Sequence, residues 1–461
     1  MIRPRFSVSL VGLGYVGLCT AVSFASRGFD TLGADIDSGR VEQIGKGHAP
    51  FREPGLDKLL RLGLQSKRLM VTDDVSKVAG TDVIFITVGT PSNPDGSINL
   101  GYVESAARQI GTAIRDEQDY RLVVVKSTVT PGTTSSTVKP ILEETSGKKA
   151  GVKLGLCANP EFLREGSAIQ DALHPDKLVI GAVDKESGSR LAKLYRAFYL
   201  RRPPPTILTT PDTAELIKYS SNAFLAAKVS YINTIANIAQ QIPGVDVEKV
   251  AEAVGLDPRI GRLFLKAGPG YGGSCFHKDL QAIIAFSQKL GYKPTLLETV
   301  EEVNEQQATK VVSLAETLLG SLIDKRVAVL GLAFKKDTDD TREAASLRVI
   351  ENLKKKGAQV VAYDPMAMPN ARQVLGRTVE FATNQRSAIK GADCCIIMTE
   401  WDQFRKLKGK DYLQSMKTPN IVDARRLYTP EDLEGLNFRA IGLGHDTRQV
   451  RIPTSKRFCR K

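Results

Sequence analysis

A chain of 461 residues exceeds what one hydrophobic core can organise, so two or three domains are expected, and 42% hydrophobic with 25% charged residues is the make-up of a folded globular protein. No apolar run reaches the length of a membrane span, and the opening "MIRPRFSVSLVGLGYVG" runs into a glycine-rich turn with no cleavage pattern, so it reads as a first strand. Of the net charge of +13, six residues (Arg448, Arg451, Lys456, Arg457, Arg460, Lys461) stand in an acid-free tail; the body is mildly basic and lacks a nucleic-acid recognition module, so phosphorylated small molecules are the expected anions.

From Phe6 to about Phe198, short β-branched runs ("FSVSLVG", "DTLGAD", "DVIFITVGT", "RLVVVKSTV", "KLGLCANP", "DKLVIGAV") alternate with helical periodicity, which predicts a parallel, doubly wound α/β sheet. At the end of the first run, Gly12, Gly14 and Gly17 form G-x-G-x-x-G. The first glycine permits the turn, the second lets a pyrophosphate approach the backbone, and the third lets helix and strand pack. Asp35 ends the next strand, where a carboxylate accepts hydrogen bonds from a ribose 2′-hydroxyl and repels a 2′-phosphate. NAD is therefore expected over NADP, although Arg40, five residues on, is a cation that a 2′-phosphate could use. Thr90, Ser127 and Thr128 follow later strands, and so do Glu161 and Glu165 in "NPEFLREGSAI". Those two carboxylates share a direction if the segment is helical, and their spacing means little if it is a loop.

The prolines of "RRPPPTILTTPD" break the rhythm and mark a domain boundary. A helix of about 30 residues follows, opened either by Thr210-Pro211 or by the capping pattern Asp212…Glu215. Apolar residues around most of its circumference suggest burial between domains or subunits. Lys218 and Asn222, four apart, share one of its faces. In "GPGYGGSCFHKD" a glycine-rich run delivers Cys275 to the start of a predicted helix, where unpaired N–H groups stabilise a thiolate, with Asp279 one turn later. From Lys325 a second α/β pattern begins, with "RVAVLGLAF", "QVVAYDP", "DCCIIMTE", "NIVDA" and "RAIGLG" as strands and without the glycine fingerprint. The six cysteines form no framework, which predicts a reducing cytoplasm, and no histidine stands at metal-ligand spacing, so no metal is expected.

Together "GLGYVG", "TVGTPS", "KSTV", "NPEFLREGSAI", "AELIKYSSNAFLAAKVSYIN", "RIG", "GPGYGGSCFHKD", "GLAFKKDTDDTRE" and "VDARRLY" resemble, in order and over nearly the whole chain, the UDP-glucose/GDP-mannose dehydrogenase family. The resemblance implies two Rossmann-like domains joined by a central helical one. Their expected ranges are 1–200 for NAD, 210–315 for dimerisation and 316–447 for the UDP-sugar, with a basic tail over 448–461. It implies a cytoplasmic homodimer or larger homo-oligomer that binds neither nucleic acid nor membrane. The implied reaction oxidises UDP-glucose to UDP-glucuronate with two NAD; GDP-mannose or a UDP-N-acetyl-hexosamine is the alternative substrate, and a non-catalytic NAD-binding regulator is disfavoured by retention of the thiol set.

By the same resemblance Cys275 is the nucleophile, Lys218 and Asn222 stabilise an oxyanion, Asp279 and Thr128 serve a catalytic water or the first proton, and Glu161 does acid/base work. Gly12, Gly14, Tyr15, Val16, Gly17, Asp35, Arg40, Thr90, Thr128, Glu165 and Arg342 match cofactor contacts. Glu161, Phe162, Leu163, Glu165, Lys218, Asn222, Lys266, Tyr271, Gly272, Lys335 and Arg425 match substrate contacts, and Arg259 matches an arginine supplied by a neighbouring subunit. Tyr271 and His277 stand where many relatives have other residues.

Overall fold

The computed structural model describes residues 6–200 and 202–445; the tail expected at 448–461 lies outside the described residues. The chain divides into two units, residues 1–221 with 281–293, and residues 222–280 with 294–461.

The first unit is built on eight strands: β1 (Ser7–Val11), β2 (Asp30–Ala34), β3 (Leu69–Thr72), β4 (Val83–Ile86), β5 (Arg121–Val125), β6 (Leu154–Ala158), β7 (Leu178–Ala182) and β8 (Thr206–Thr209). They lie in the order β3-β2-β1-β4-β5-β6-β7-β8. Successive residues of a strand point to opposite faces. Val8 and Leu10 accordingly join a core with Phe24, Phe29 and Phe85, while Val11 joins Ile84 and Ile86 on the other side. The chain leaves β1 toward β2 and returns from β3 to β4 on its opposite flank, so the switch point lies between the ends of β1 and β4, where open α/β sheets bind their ligands.

The sheet departs from the expected parallel pattern at one pair, since β6 and β7 are antiparallel. Their connection, residues 159–177, holds one six-residue helix, Ala168–Leu173. Strands β3 and β8 were not expected. The second of these pairs with β7, so the residues directly after the prolines extend the first sheet.

The second unit carries β9 (Arg326–Leu330), β10 (Gln359–Tyr363), β11 (Glu380–Phe381), β12 (Cys394–Ile397), β13 (Asn420–Asp423) and β14 (Asn437–Ala440), all parallel, in the order β11-β10-β9-β12-β13-β14. This repeats the order of the first six strands of the first sheet. The helices that matter below are α1 (Tyr15–Ser26), α2 (Pro211–Ala239), α3 (Phe276–Lys289) and α4 (Thr295–Leu319). Of the two starts left open for α2, Thr210-Pro211 is the one adopted: Pro211 is the first helical residue and Thr210 Oγ1 accepts from Thr213 N at 3.3 Å. Glu215 is employed elsewhere, accepting from Gly132 N and Thr134 N at 2.7 and 2.9 Å.

Candidate active site

At the switch point of the first unit, the three fingerprint glycines separate by what surrounds them. A Cβ at Gly17 would stand 1.9 Å from the Gly12 carbonyl oxygen, so helix and strand can meet only at a glycine. A Cβ at Gly14 would touch nothing within 4 Å, which leaves the start of α1 open to a ligand. Asp35 is 5% exposed. Its Oδ2 accepts from Leu13 N at 2.7 Å and from Arg40 Nη1 at 3.0 Å. Arg40 also lies 3.6 Å from Asp37. The cation that left room for a 2′-phosphate is therefore engaged by two carboxylates, and the pocket edge keeps its acidic character. A helix N-terminus with open glycine backbone and a carboxylate on the adjacent strand fits NAD.

The strand ends around this point are tied together. Thr90 Oγ1 donates to the Thr128 carbonyl at 2.9 Å, and Ser127 Oγ donates to Val88 O at 2.7 Å. Tyr15 donates its hydroxyl to Glu53, and burial followed by that carboxylate pushes the phenol well above its ordinary pKa. Glu53 also accepts from Gly166 N at 2.7 Å and Ala168 N at 2.8 Å, which fixes the end of the segment carrying Glu161, Phe162, Leu163 and Glu165. That segment is a loop from Asn159 to Arg164, so the four-residue spacing of Glu161 and Glu165 does not place them on a helix face. Glu161 is nevertheless specifically held. Its Oε1 lies 3.1 Å from Lys218 Nζ, with side chains 8% and 5% exposed, and its Oε2 accepts from Leu163 N. Val16 stands on α1, where its carbonyl accepts from Thr20.

Beside this pair sits a lysine to which the sequence reading gave no role. Lys126 is buried and donates to Asn159 Oδ1 at 3.1 Å. Burial pushes its ammonium down to about 8, with Glu161 opposing and Lys218 adding to the shift. The available signal was a lysine directly after the apolar strand "RLVVV".

In the second unit, Cys275 is exposed, and its carbonyl accepts from Asp279 N at 2.8 Å, the first bond of α3. The thiol thus occupies the N-cap position, as expected. Asp279, 2% exposed, accepts from Asn222 Nδ2 at 2.6 Å and from Lys278 Nζ at 2.8 Å. The glycine run has a geometric cause. Gly270 has φ +101°, and a Cβ there would stand 2.7 Å from Asn304 Oδ1, whose side chain takes up both the N–H and the carbonyl of Tyr271. A Cβ at Gly272 would stand 2.4 Å from the Glu343 carbonyl oxygen. The loop is glycine-rich because it runs against backbone and buried amide.

Arg425 donates to Met398 O and Phe334 O at 2.9 Å each and lies 3.6 Å from Glu400. Burial works against ionisation of Glu400, but Arg425 and then Lys266 override it and hold the carboxyl below its usual range. Lys335 Nζ lies 5.4 Å from the ring centre of Phe334. Arg342 is fastened by Asp340 at 2.6 Å, and Arg259 lies back on Asp257 with its side chain 86% exposed.

A doubly wound sheet whose switch point carries this fingerprint and a carboxylate at the ribose position defines an NAD-dependent oxidoreductase. Three models of the UDP-glucose/GDP-mannose dehydrogenase family match the chain: the NAD binding domain at residues 6–199, the central domain at 212–306 and the UDP binding domain at 328–430. The chain belongs to that family. It is 42% identical to UDP-glucose 6-dehydrogenase AglM of Haloferax volcanii over 94% of this chain and 99% of that one. Among solved structures, a UDP-glucose dehydrogenase from Pyrobaculum islandicum is 41% identical with a TM-score of 0.88, covering 97% of this chain and 99% of that one. A UDP-D-ManNAc dehydrogenase from Pyrococcus horikoshii is 30% identical with a TM-score of 0.84, covering 95% and 99%. No helix among the described residues is long and apolar enough to cross a membrane.

Proposed function

We propose that the protein oxidises the C6 alcohol of UDP-glucose to the carboxylate of UDP-glucuronate through a covalent intermediate on Cys275. The observation that carries this reading is the exposed thiol at the N-cap of α3, one turn from the buried Asp279–Asn222 pair. NAD, when bound on the glycine fingerprint, supplies the hydride acceptor for both oxidations. Loss of the first hydride, and of the hydroxyl proton to a water held by Asp279 and Thr128, leaves an aldehyde, whose carbon has no further hydride to give until a nucleophile adds. Addition of the Cys275 thiolate forms a C–S bond and an oxyanion, for which Lys218 and Asn222 are the proposed donors; preorganised donors of this kind contribute about 3 kcal/mol each. The resulting thiohemiacetal loses the second hydride and becomes a thioester. Water, activated by Glu161 or Asp279, opens it and returns the thiol.

Identity to the two UDP-glucose enzymes, 41–42% against 30% for the N-acetyl-sugar enzyme, supports glucose as the sugar. The second unit supplies Lys266, Lys335 and Arg425 as proposed sugar-nucleotide contacts and Arg342 as a proposed cofactor contact, with Arg259 acting on a neighbouring subunit. Burial of Cys19, Cys157, Cys394 and Cys395 as free thiols supports a cytoplasmic setting. The test is a panel of sugar nucleotides with NAD followed at the NADH absorbance. UDP-glucose is expected to give two NADH per sugar acid without free aldehyde. Preference for GDP-mannose or a UDP-N-acetyl-hexosamine would overturn the substrate assignment.

A further inference from the structure

Glu301 lies on α4 in the stretch "TVEEVNEQQ", to which neither the sequence nor the mechanism gives a role. Its two oxygens reach residues on either side of Cys275. Tyr271 donates its hydroxyl to Oε2 at 2.9 Å, and His277 Nδ1 pairs with Oε1. A single carboxylate thus holds the residue four before Cys275 and the residue two after it. The Tyr271 ring also packs edge-on against Phe276, with centroids 5.8 Å apart. Between the two anchors the chain runs through Gly272 and Gly273, the residue type with the most conformational freedom to lose. Without the anchors, the thiol would be spread over many positions.

The charges around His277 favour a pairing. Burial alone would lower its pKa, but Glu301, and beyond it Glu343 and Glu305, raise it above the ordinary value. Ligand atoms of His277, Glu301 and Glu305 also lie within 4.8 Å of one another, as a cation site requires. Against that use, one oxygen of Glu301 is already occupied by Tyr271, and Glu305 Oε1 accepts from the Arg348 guanidinium at 2.6 Å, a positive group that would repel a second cation.

We propose that Glu301 is a positioning residue: by holding Tyr271 with one oxygen and His277 with the other, it keeps Cys275 at the N-cap of α3 in the place from which the thiol attacks the aldehyde. This rests on Cys275 being the nucleophile. The test compares oxidation of UDP-glucose with oxidation of its 6-aldehyde in Glu301→Ala, Glu301→Gln, Tyr271→Phe and the double variant Glu301→Ala/Tyr271→Phe, with Cys275→Ala as control and thermal melting alongside. Glu301→Ala is expected to slow aldehyde oxidation about tenfold, with the KM for NAD unchanged. Glu301→Gln, which keeps an acceptor for the tyrosine hydroxyl, recovers most of that loss. Tyr271→Phe costs less in the Glu301→Ala background than alone, because the two act through one contact. Additive effects, an equal loss in both oxidations, or loss on chelation with rescue by zinc would each overturn the clamp. If Cys275→Ala is inactive while Glu301→Ala oxidises the aldehyde at the unmodified rate, the clamp alone fails; if Cys275→Ala keeps the unmodified rate, the nucleophile assignment fails and the clamp with it.

Discussion

Lys126 shows most clearly how a buried charge is linked to the stability of the first unit. An unfolded chain keeps a lysine protonated up to about pH 10.4, whereas the folded protein keeps this one protonated only to about 8. Between those values the unfolded state holds more protons, so raising the pH adds stability, on the order of 1 kcal/mol per unit. Below pH 8 the cost of holding the buried ammonium is fully present. Urea midpoints at pH 7.5 and 9.5 should therefore rise with pH less steeply in Lys126→Met than in the unmodified protein; an identical slope would contradict the assignment. The fingerprint glycines make a second residue-scale prediction, because their surroundings differ. Gly17→Ala, which drives a Cβ into the Gly12 carbonyl, should lower the melting temperature markedly. Gly14→Val should leave melting nearly unchanged and abolish NAD binding in a titration, since its side chain enters only the space left for the ligand. Equal effects of both variants on melting would be inconsistent with a ligand-facing Gly14.

The cysteine loop is an element whose conformation is set by what it packs against. Gly272→Ala has no room beside the Glu343 carbonyl, so it should cost about 1–3 kcal/mol in stability and displace the thiol, read as a loss of alkylation selectivity at Cys275. Retention of both properties would show that the loop is free to relax. Much of this was legible in the sequence, because the fingerprint, the start of α3 at the cysteine and the strand-helix alternation are local patterns fixed by steric rules within a few residues. What was not legible depends on partners distant in the chain. Asn304 and Glu301 read as ordinary helix residues until the loop some 30 residues earlier is laid against them. The antiparallel direction of β7 leaves no trace in its apolar run, since a strand buried on both faces looks the same in either direction. The spacing of Glu161 and Glu165 left helix and loop both open, and the segment is a loop, fixed through Glu53, that presents Glu161 to Lys218.

At the scale of the whole molecule, the repeated strand order makes the two sheets an internal comparison. Asp364 follows β10 as Asp35 follows β2, yet its oxygens accept from Leu332 N, Ala333 N, Met366 N, Ala367 N and Trp401 Nε1. So occupied, it has little capacity left for a ribose. The long helix α2 leaves Phe224, Tyr231 and Ile238 exposed at seven-residue spacing, 67%, 53% and 53% accessible, a stripe suited to a second copy of the chain. A dimer joined through this stripe predicts that Tyr231→Asp shifts sedimentation toward monomer with loss of activity; an active monomer at assay concentration would contradict both that interface and the proposed action of Arg259 on a neighbouring subunit. The chemistry itself is tested most directly by the rate at which Cys275→Ala forms UDP-glucuronate from UDP-glucose and NAD. A thiohemiacetal and thioester on sulfur predict that this rate falls by about a thousandfold or more, equivalent to ~4 kcal/mol of lost transition-state stabilisation. Acid formation at close to the unmodified rate would make the thiol a structural group and contradict the mechanism.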